Sequence, residues 1–195
     1  MSDRKRPDHW TRKAKAEGFA ARSVYKLDEI QTRFRVLGPG MRVLDLGCAP
    51  GSWSQRARTI VGPRGAILGI DLTPVERYPG TQIVGSILDQ TPESLRAALG
   101  GDPDCVLSDM APNTSGARLL DHCRQLELAD AALTVAVSTL GPRGAFVVKV
   151  FDGVDAPAYV GRVKAAFSQV KRVKPEATRG ESVEFFLVCS GLKVR

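Results

Sequence analysis

A short apolar run, Met41-Arg-Val-Leu-Asp-Leu-Gly47, feeds directly into the loop Cys48-Ala-Pro-Gly51-Ser-Trp53. In open α/β sheets, ligands bind beyond the carboxyl ends of the strands, so Asp45, Gly47, Gly51 and Trp53 are the first candidates for ligand contact. Glycines in such a loop let the backbone approach a ligand closely. The spacing is Gly47-x-x-x-Gly51, without the GxGxxG run that brings backbone amides onto a pyrophosphate at a helix N-terminus. Twenty positions after Gly51, Asp71 ends the next apolar run. A carboxylate there can accept hydrogen bonds from both hydroxyls of a ribose, although taken alone it could equally be a helix cap. A nucleoside-type cofactor without a diphosphate fits the pair, and S-adenosylmethionine is the one expected.

Two further residues stand where chemistry is possible. Asp109 closes an apolar run that starts at Asp104; it could hold the methionine end of the cofactor, work in catalysis, or merely initiate the turn Met110-Ala-Pro-Asn113. Lys149 interrupts the run Phe146-Val-Val-Lys-Val-Phe151. A lysine at a strand end is usually a surface charge, but the apolar residues on both sides argue against that here.

These residues need a frame, and the hydrophobic pattern supplies one. Val24, Leu27, Ile30 and Phe34 fall on one helical stripe between Arg22 and Phe34, which predicts an amphipathic helix ahead of the core. Strands are predicted over Met41–Gly47, Ala66–Asp71, Gln82–Val84, Asp104–Asp109 and Gly144–Val150. Helices are predicted from about Trp53 and over Pro92–Leu99, His122–Leu140 and Ala156–Phe167, with two last strands over Val170–Lys174 and Val183–Ser190. Strand-helix alternation implies an α/β fold of the Rossmann-like kind, with a mostly parallel sheet, helices on both faces, and an antiparallel last strand in a hairpin at one edge.

Length and composition set the bounds. A chain of 195 residues, 43% hydrophobic, suits one compact domain; the reading is one domain over 1–195, with 1–21 as a basic, flexible lead. The net charge is +7 and the pI about 9.5, which favours a polyanionic partner such as nucleic acid or a membrane surface. Arg4, Lys5, Arg6, Arg12, Lys13, Lys15 and Arg22 crowd the N-terminus, and Arg162, Lys164, Lys171, Arg172 and Lys174 follow one another with no acid between them. No segment approaches the roughly 18 apolar residues of a membrane span, and the start lacks a signal-peptide pattern, so a cytoplasmic protein without membrane attachment is expected. Cys48, Cys105, Cys123 and Cys189 are scattered and neither His9 nor His122 sits at a ligand-like spacing from them; no metal and no disulfide is expected.

Five stretches in order, Ser23-Val-Tyr-Lys-Leu-Asp-Glu-Ile-Gln31, Asp45-Leu-Gly-Cys-Ala-Pro-Gly-Ser-Trp-Ser-Gln55, Ser108-Asp-Met-Ala-Pro-Asn113, Phe146-Val-Val-Lys-Val-Phe151 and Lys174-Pro-Glu-Ala-Thr-Arg179, resemble the FtsJ family (RrmJ, RlmE), the 2′-O-methyltransferases of large-subunit ribosomal RNA. The resemblance covers the chain from about Trp10. It implies a catalytic group of Lys26, Asp109, Lys149 and Glu184, and cofactor contacts at Gly51, Trp53, Asp71 and Asp109. Ser86 stands where the family often has aspartate, in a position to hydrogen-bond adenine; Ser52 and Cys48 replace a glycine and an alanine. The resemblance further implies a monomer whose target is a uridine of 23S rRNA inside the assembled large subunit.

Methyl transfer from a sulfonium needs an oxygen aligned with the methyl-sulfur bond, so positioning carries much of the rate, and the ribose 2′-hydroxyl must lose its proton. Lys149 is the candidate base, although an unperturbed lysine titrates near about 10.4 and is almost wholly charged at neutral pH. Asp109 and Glu184 would orient the lysines, and Lys26 would position the ribose or stabilise its developing oxyanion. Arg22 and Arg179 are candidates for holding RNA phosphates. A cytosine C5 methyltransferase shares the Cys-Ala-Pro-Gly loop but needs a nucleophilic cysteine at a later strand end, and neither strand-end loop carries one. An amino-directed enzyme would show Asn/Asp-Pro-Pro-aromatic after the fourth strand. The remaining alternatives are a tRNA 2′-O-methyltransferase and a non-catalytic RNA-binding relative of the fold.

Overall fold

In the computed structural model, residues 8–112, 115–178 and 183–193 are described. The strands are β1 (Arg42–Leu46), β2 (Ala66–Asp71), β3 (Thr81–Val84), β4 (Cys105–Ser108), β5 (Ala145–Phe151), β6 (Phe167–Val173) and β7 (Glu184–Leu192). The helices are α1 (His9–Ala16), α2 (Val24–Phe34), α3 (Ser52–Val61), α4 (Pro92–Leu99), α5 (Arg118–Thr139) and α6 (Ala156–Ala166).

The strands form one sheet in the order β3-β2-β1-β4-β5-β7-β6. β1 to β5 run parallel, so their carboxyl ends share one rim. β7 runs antiparallel to both neighbours and therefore starts at that same rim. The predicted hairpin is present, but its second strand lies inside the sheet and β6 forms the edge.

Successive side chains on a strand point to opposite faces, and the sheet uses this to build two cores. On one face Leu44, Leu46, Leu68, Ile70, Val106, Phe146 and Val148 pack against α4, α5 and α6 through Leu95, Ala132 and Tyr159. On the other, Val43, Ile67, Leu107, Val147 and Phe186 pack against α2 and α3 through Leu27, Ile30, Trp53 and Ala57. β1 is the pivot: four of its five residues are buried, as a central strand covered on both faces requires. α4 matches its predicted bounds because its signals are local: Thr91 and Ser94 form a reciprocal capping box, Pro92 opens the first turn and Gly100 closes the helix in the left-handed region, where a Cβ would be unfavourable.

Two elements differ from the sequence reading. α5 begins at Arg118 rather than His122, one turn earlier, because Asp121 anchors the preceding loop by accepting from Ser115 N–H (2.8 Å), Ser115 Oγ (2.9 Å) and Gly116 N–H (3.1 Å). The stretch expected to be a flexible lead contains a helix, α1. Asp8 caps it by accepting from Thr11 N–H at 2.8 Å. Ala14 is buried against Val24, Tyr25 and Ala177, the Trp10 and Tyr25 rings lie 5.1 Å apart, and Lys13 Nζ stands 4.7 Å from the Tyr25 ring. Little apolar area is involved, so periodicity alone does not reveal it; the cap and the ring contacts hold the helix. Replacing Asp8 by alanine should therefore lower unfolding stability by about 1 kcal/mol, seen as a fall in the urea midpoint at unchanged slope. An unchanged midpoint would mean that the cap contributes nothing.

Candidate active site

The carboxyl rim gathers the residues singled out in the sequence. At the end of β1 the chain turns through Gly47 (φ 75°) and Gly51 (φ 103°), left-handed conformations that favour glycine. A Cβ on Gly47 would lie 2.5 Å from Met110 Cγ, so the loop also needs glycine for its contact with the chain leaving β4. Gly47 and Cys48 N–H both donate to Ile70 O, at 2.8 and 3.2 Å. Asp71 closes β2, with one carboxylate oxygen accepting from Ala49 N–H at 2.9 Å and the other from Thr73 N–H at 2.8 Å. Each oxygen keeps a free acceptor site, so Asp71 can shape the loop and still receive ribose hydroxyls. Ser86 follows β3 and caps a short 3-10 turn by accepting from Leu88 N–H at 3.1 Å; its hydroxyl proton remains available as a donor.

Asp45 lies one strand inward and is 1% exposed. One of its oxygens accepts from Ser54 Oγ, and Ser54 Oγ is 2.5 Å from Tyr78 Oη. The other oxygen is buried with no hydrogen-bond partner among the described residues. Gly69 gives this group room, since a Cβ there would meet Tyr78 Oη at 2.2 Å and Cys48 Sγ at 2.7 Å. Burial pushes the Asp45 carboxyl up to about 7, with the nearby Asp109 and Asp71 adding to the rise and the Ser54 hydrogen bond opposing it. An unsatisfied buried acceptor beside a glycine loop, and an acid with acceptor sites free at the next strand end, suit a cationic nucleoside-type ligand.

The four residues of the expected catalytic group form two ion pairs. Lys149, 6% exposed, lies with Nζ 3.1 Å from Asp109 Oδ1 and donates to the Asp109 backbone carbonyl at 2.6 Å. Lys26, in the first turn of α2 and 7% exposed, pairs with Glu184. Phe186 joins the pairs: it is the cross-strand partner of Lys149, and Lys26 Nζ lies 5.6 Å from the centre of its ring. Both lysines are buried and Asp109 is half-buried, so removing either carboxylate would strand a lysine charge in a poorly solvated place.

Other sequence candidates are placed differently. Trp53 is buried in the core, 5.7 Å from Phe186 ring to ring, and donates its indole N–H to Ser23 O at 2.8 Å. Its side chain anchors α2 rather than facing a ligand, because an indole fills the gap between α3 and the sheet while spending its one donor. Ser23, which nothing in its motif singles out, is also 2.8 Å from Ser52, hydroxyl to hydroxyl; the two contacts latch the turn before Lys26 to the glycine loop. Arg22 forms an ion pair with Asp8, so it bridges α1 and α2. Arg179 lies outside the described residues. Among the described residues, no group of three or more His, Cys, Asp or Glu side chains is placed to hold a metal, and no helix is long and apolar enough to cross a membrane.

A sheet of this order with a glycine loop after β1, an acid after β2 and paired lysines and acids at the rim defines a Rossmann-like methyltransferase. The profile of the FtsJ-like methyltransferases matches residues 19–192, and the chain belongs to that family. It is 47% identical over 191 residues to a ribosomal RNA large subunit methyltransferase E of Syntrophobacter fumaroxidans, covering 96% of each chain. It is 46% identical over 184 residues to the protein of the same name in Desulfatibacillum aliphaticivorans, covering 93% of this chain and 88% of the relative. Among solved structures, it is similar to a ribosomal RNA methyltransferase of Plasmodium falciparum with a TM-score of 0.77 and 26% identity, over 91% of this chain and all of the other.

The raised Asp45 carboxyl has a measurable consequence. Between about pH 4 and 7 the folded protein keeps a proton that the unfolded chain has released, so this group makes folding less favourable as pH rises through that window. Asp45→Asn should therefore gain stability relative to the parent between about pH 4.5 and pH 7.5, by a few kcal/mol at most. Urea unfolding at both pH values tests this; a difference independent of pH would show that Asp45 is ionised throughout.

Proposed function

We propose that this methyltransferase transfers a methyl group from S-adenosylmethionine to a ribose 2′-oxygen of RNA, the target being a uridine of 23S rRNA within the large ribosomal subunit. It acts as a cytoplasmic monomer, with residues 1–195 as one catalytic domain. The observation that carries the reading is the pair of buried lysine-carboxylate contacts, Lys149 with Asp109 and Lys26 with Glu184, set at the same rim as the glycine loop. The large-subunit RNA named for the relatives supports the substrate, as does the net charge of +7.

The residues fit the cofactor: Asp71 would take the ribose hydroxyls, Ser86 the adenine edge and the Gly47–Gly51 backbone the methionine end, while the buried Asp45 would act through Ser54 in the first turn of α3. When bound, the cofactor supplies an electrophilic methyl on a positively charged sulfur. The chain's own part begins with Lys149. As a neutral amine it has two N–H donors and one lone pair. One donor meets the Asp109 backbone carbonyl and the Asp109 carboxylate lies 3.1 Å from Nζ, so the lone pair remains for the 2′-hydroxyl proton. Lys149 Nζ would take that proton as the 2′-oxygen becomes methylated, the methyl–sulfur bond breaking to leave a neutral thioether. Lys26, held by Glu184, places a positive charge where the oxygen gains negative charge. Water has little access to either amine, since Lys26 and Lys149 are 7% and 6% exposed.

The test is to incubate purified protein and methyl-labelled S-adenosylmethionine with undermethylated large subunits, free rRNA and tRNA, and to map the product by mass spectrometry. The expected product is a 2′-O-methyluridine in 23S rRNA, with Lys149→Ala slowed by about 10²- to 10⁴-fold. Labelling of tRNA alone would replace the substrate; near-normal turnover by Lys149→Ala would remove the assigned base; no transfer to any RNA would leave a binding protein.

A further inference from the structure

β4 and β5 are hydrogen-bonded neighbours only as far as the pair Ser108 and Val148. At Asp109 the chain leaves the sheet, and this departure lets both the carbonyl and the carboxylate of Asp109 turn to Lys149 Nζ. It also leaves β5 without a β4 neighbour along its last residues, which include Lys149 itself. Backbone groups buried at such an edge need partners.

Gln125 fills the vacancy. Its side chain is 1% exposed; its amide Nε2 donates to Lys149 O at 2.6 Å, and its Oε1 accepts from Phe151 N–H at 2.8 Å. In a parallel ladder one residue of the neighbouring strand donates to residue i−1 and accepts from residue i+1 of its partner. The Gln125 amide makes that pair of bonds about Val150, the position that Met110 would occupy had β4 continued in register. One carboxamide thus stands in for the missing strand, because it carries a donor and an acceptor side by side as a peptide group does.

The same end of α5 holds the rest of the rim. Asp121 binds the loop at Ser115 and Gly116, and the ring of His122 packs on Gly153, where an added Cβ would meet it at 2.5 Å. Of these three α5 side chains, Gln125 is the one that hydrogen-bonds the backbone of Lys149.

We infer that Gln125 is a positioning residue for the methyl transfer: by completing the sheet around Val150 it fixes the backbone of Lys149, and with it the direction of Nζ toward the RNA ribose. The inference rests on Lys149 being the base. It acts through Lys149 and touches neither RNA nor cofactor.

The test compares Gln125→Met, which keeps the volume and removes both bonds, with Tyr159→Phe, which removes an equally buried bond of the same helix, Tyr159 Oη to Ala129 O at 2.9 Å, away from the rim. Lys149→Ala is assayed alongside. Gln125→Met should lower kcat by about a hundredfold, leave KM for S-adenosylmethionine and RNA within about twofold, and shift the pH dependence of kcat, which reports the base in its complex. It should also lose hydrogen-exchange protection at the Phe151 amide. Tyr159→Phe should lower the melting temperature with kcat unchanged. The inference is overturned if Gln125→Met keeps its kcat, or loses it without any change in the pH profile while Tyr159→Phe loses as much. If Lys149→Ala itself turns over normally, the proposed reaction mechanism fails first; if only Gln125→Met is active, the mechanism stands and the positioning role falls.

Discussion

A lysine side chain shut away from water must be met by acceptors, and Lys149 imposes that requirement on the structure around it. Its nearest acceptors come from one residue, Asp109, through both backbone and side chain. A strand residue in regular register could not offer its carbonyl and its carboxylate to the same amine, so β4 has to end where it does. The turn that follows brings Met110 against Gly47, and the glycine loop is bound to the same geometry. The cofactor loop and the lysine are therefore shaped by one bend in the chain.

The second pair draws in the periphery. Lys26 reaches Glu184 from a helix outside the strand-helix alternation, and α2 is held by contacts to the first turn of α3: Ser23 with Ser52, and Ser23 with the indole of Trp53. α1 adds a further layer through Tyr25 and the ion pair of Arg22 with Asp8. The glycine loop and the lysine-carboxylate pairs thus share their supports, which keeps the two in one frame. Preorganisation of this sort is what an in-line transfer between two bound molecules requires.

Much of this was legible in the sequence because its signals are local. Strand-helix alternation, the glycine loop and Asp71 each show within a few residues; three of the five motifs contain Lys26, Asp109 and Lys149, and the family resemblance adds Glu184. What escaped depended on long-range packing. Trp53 looks like a ligand contact from its motif, yet its neighbours Phe186 and Ser23 lie far away in sequence. α1 has one buried residue, Ala14, too little for a periodic signal. Gln125 did leave a trace: it falls on the same helical face as Leu126, Ala129 and Ala132, a polar residue in an apolar stripe, but the groups it serves could be known only from the sheet.

β7 follows every other strand in the chain and yet lies between β5 and β6. During synthesis, β5 must wait with one edge open, lined by Val147, Val148 and Val150, until Glu184 to Leu192 have emerged and inserted. That edge is the sort of surface on which nascent chains associate wrongly. The strand that closes it also delivers Glu184, so the partner of Lys26 arrives with the step that completes the sheet. A methyltransferase arranged in this way is assembled only when β7 has left the ribosome that makes it.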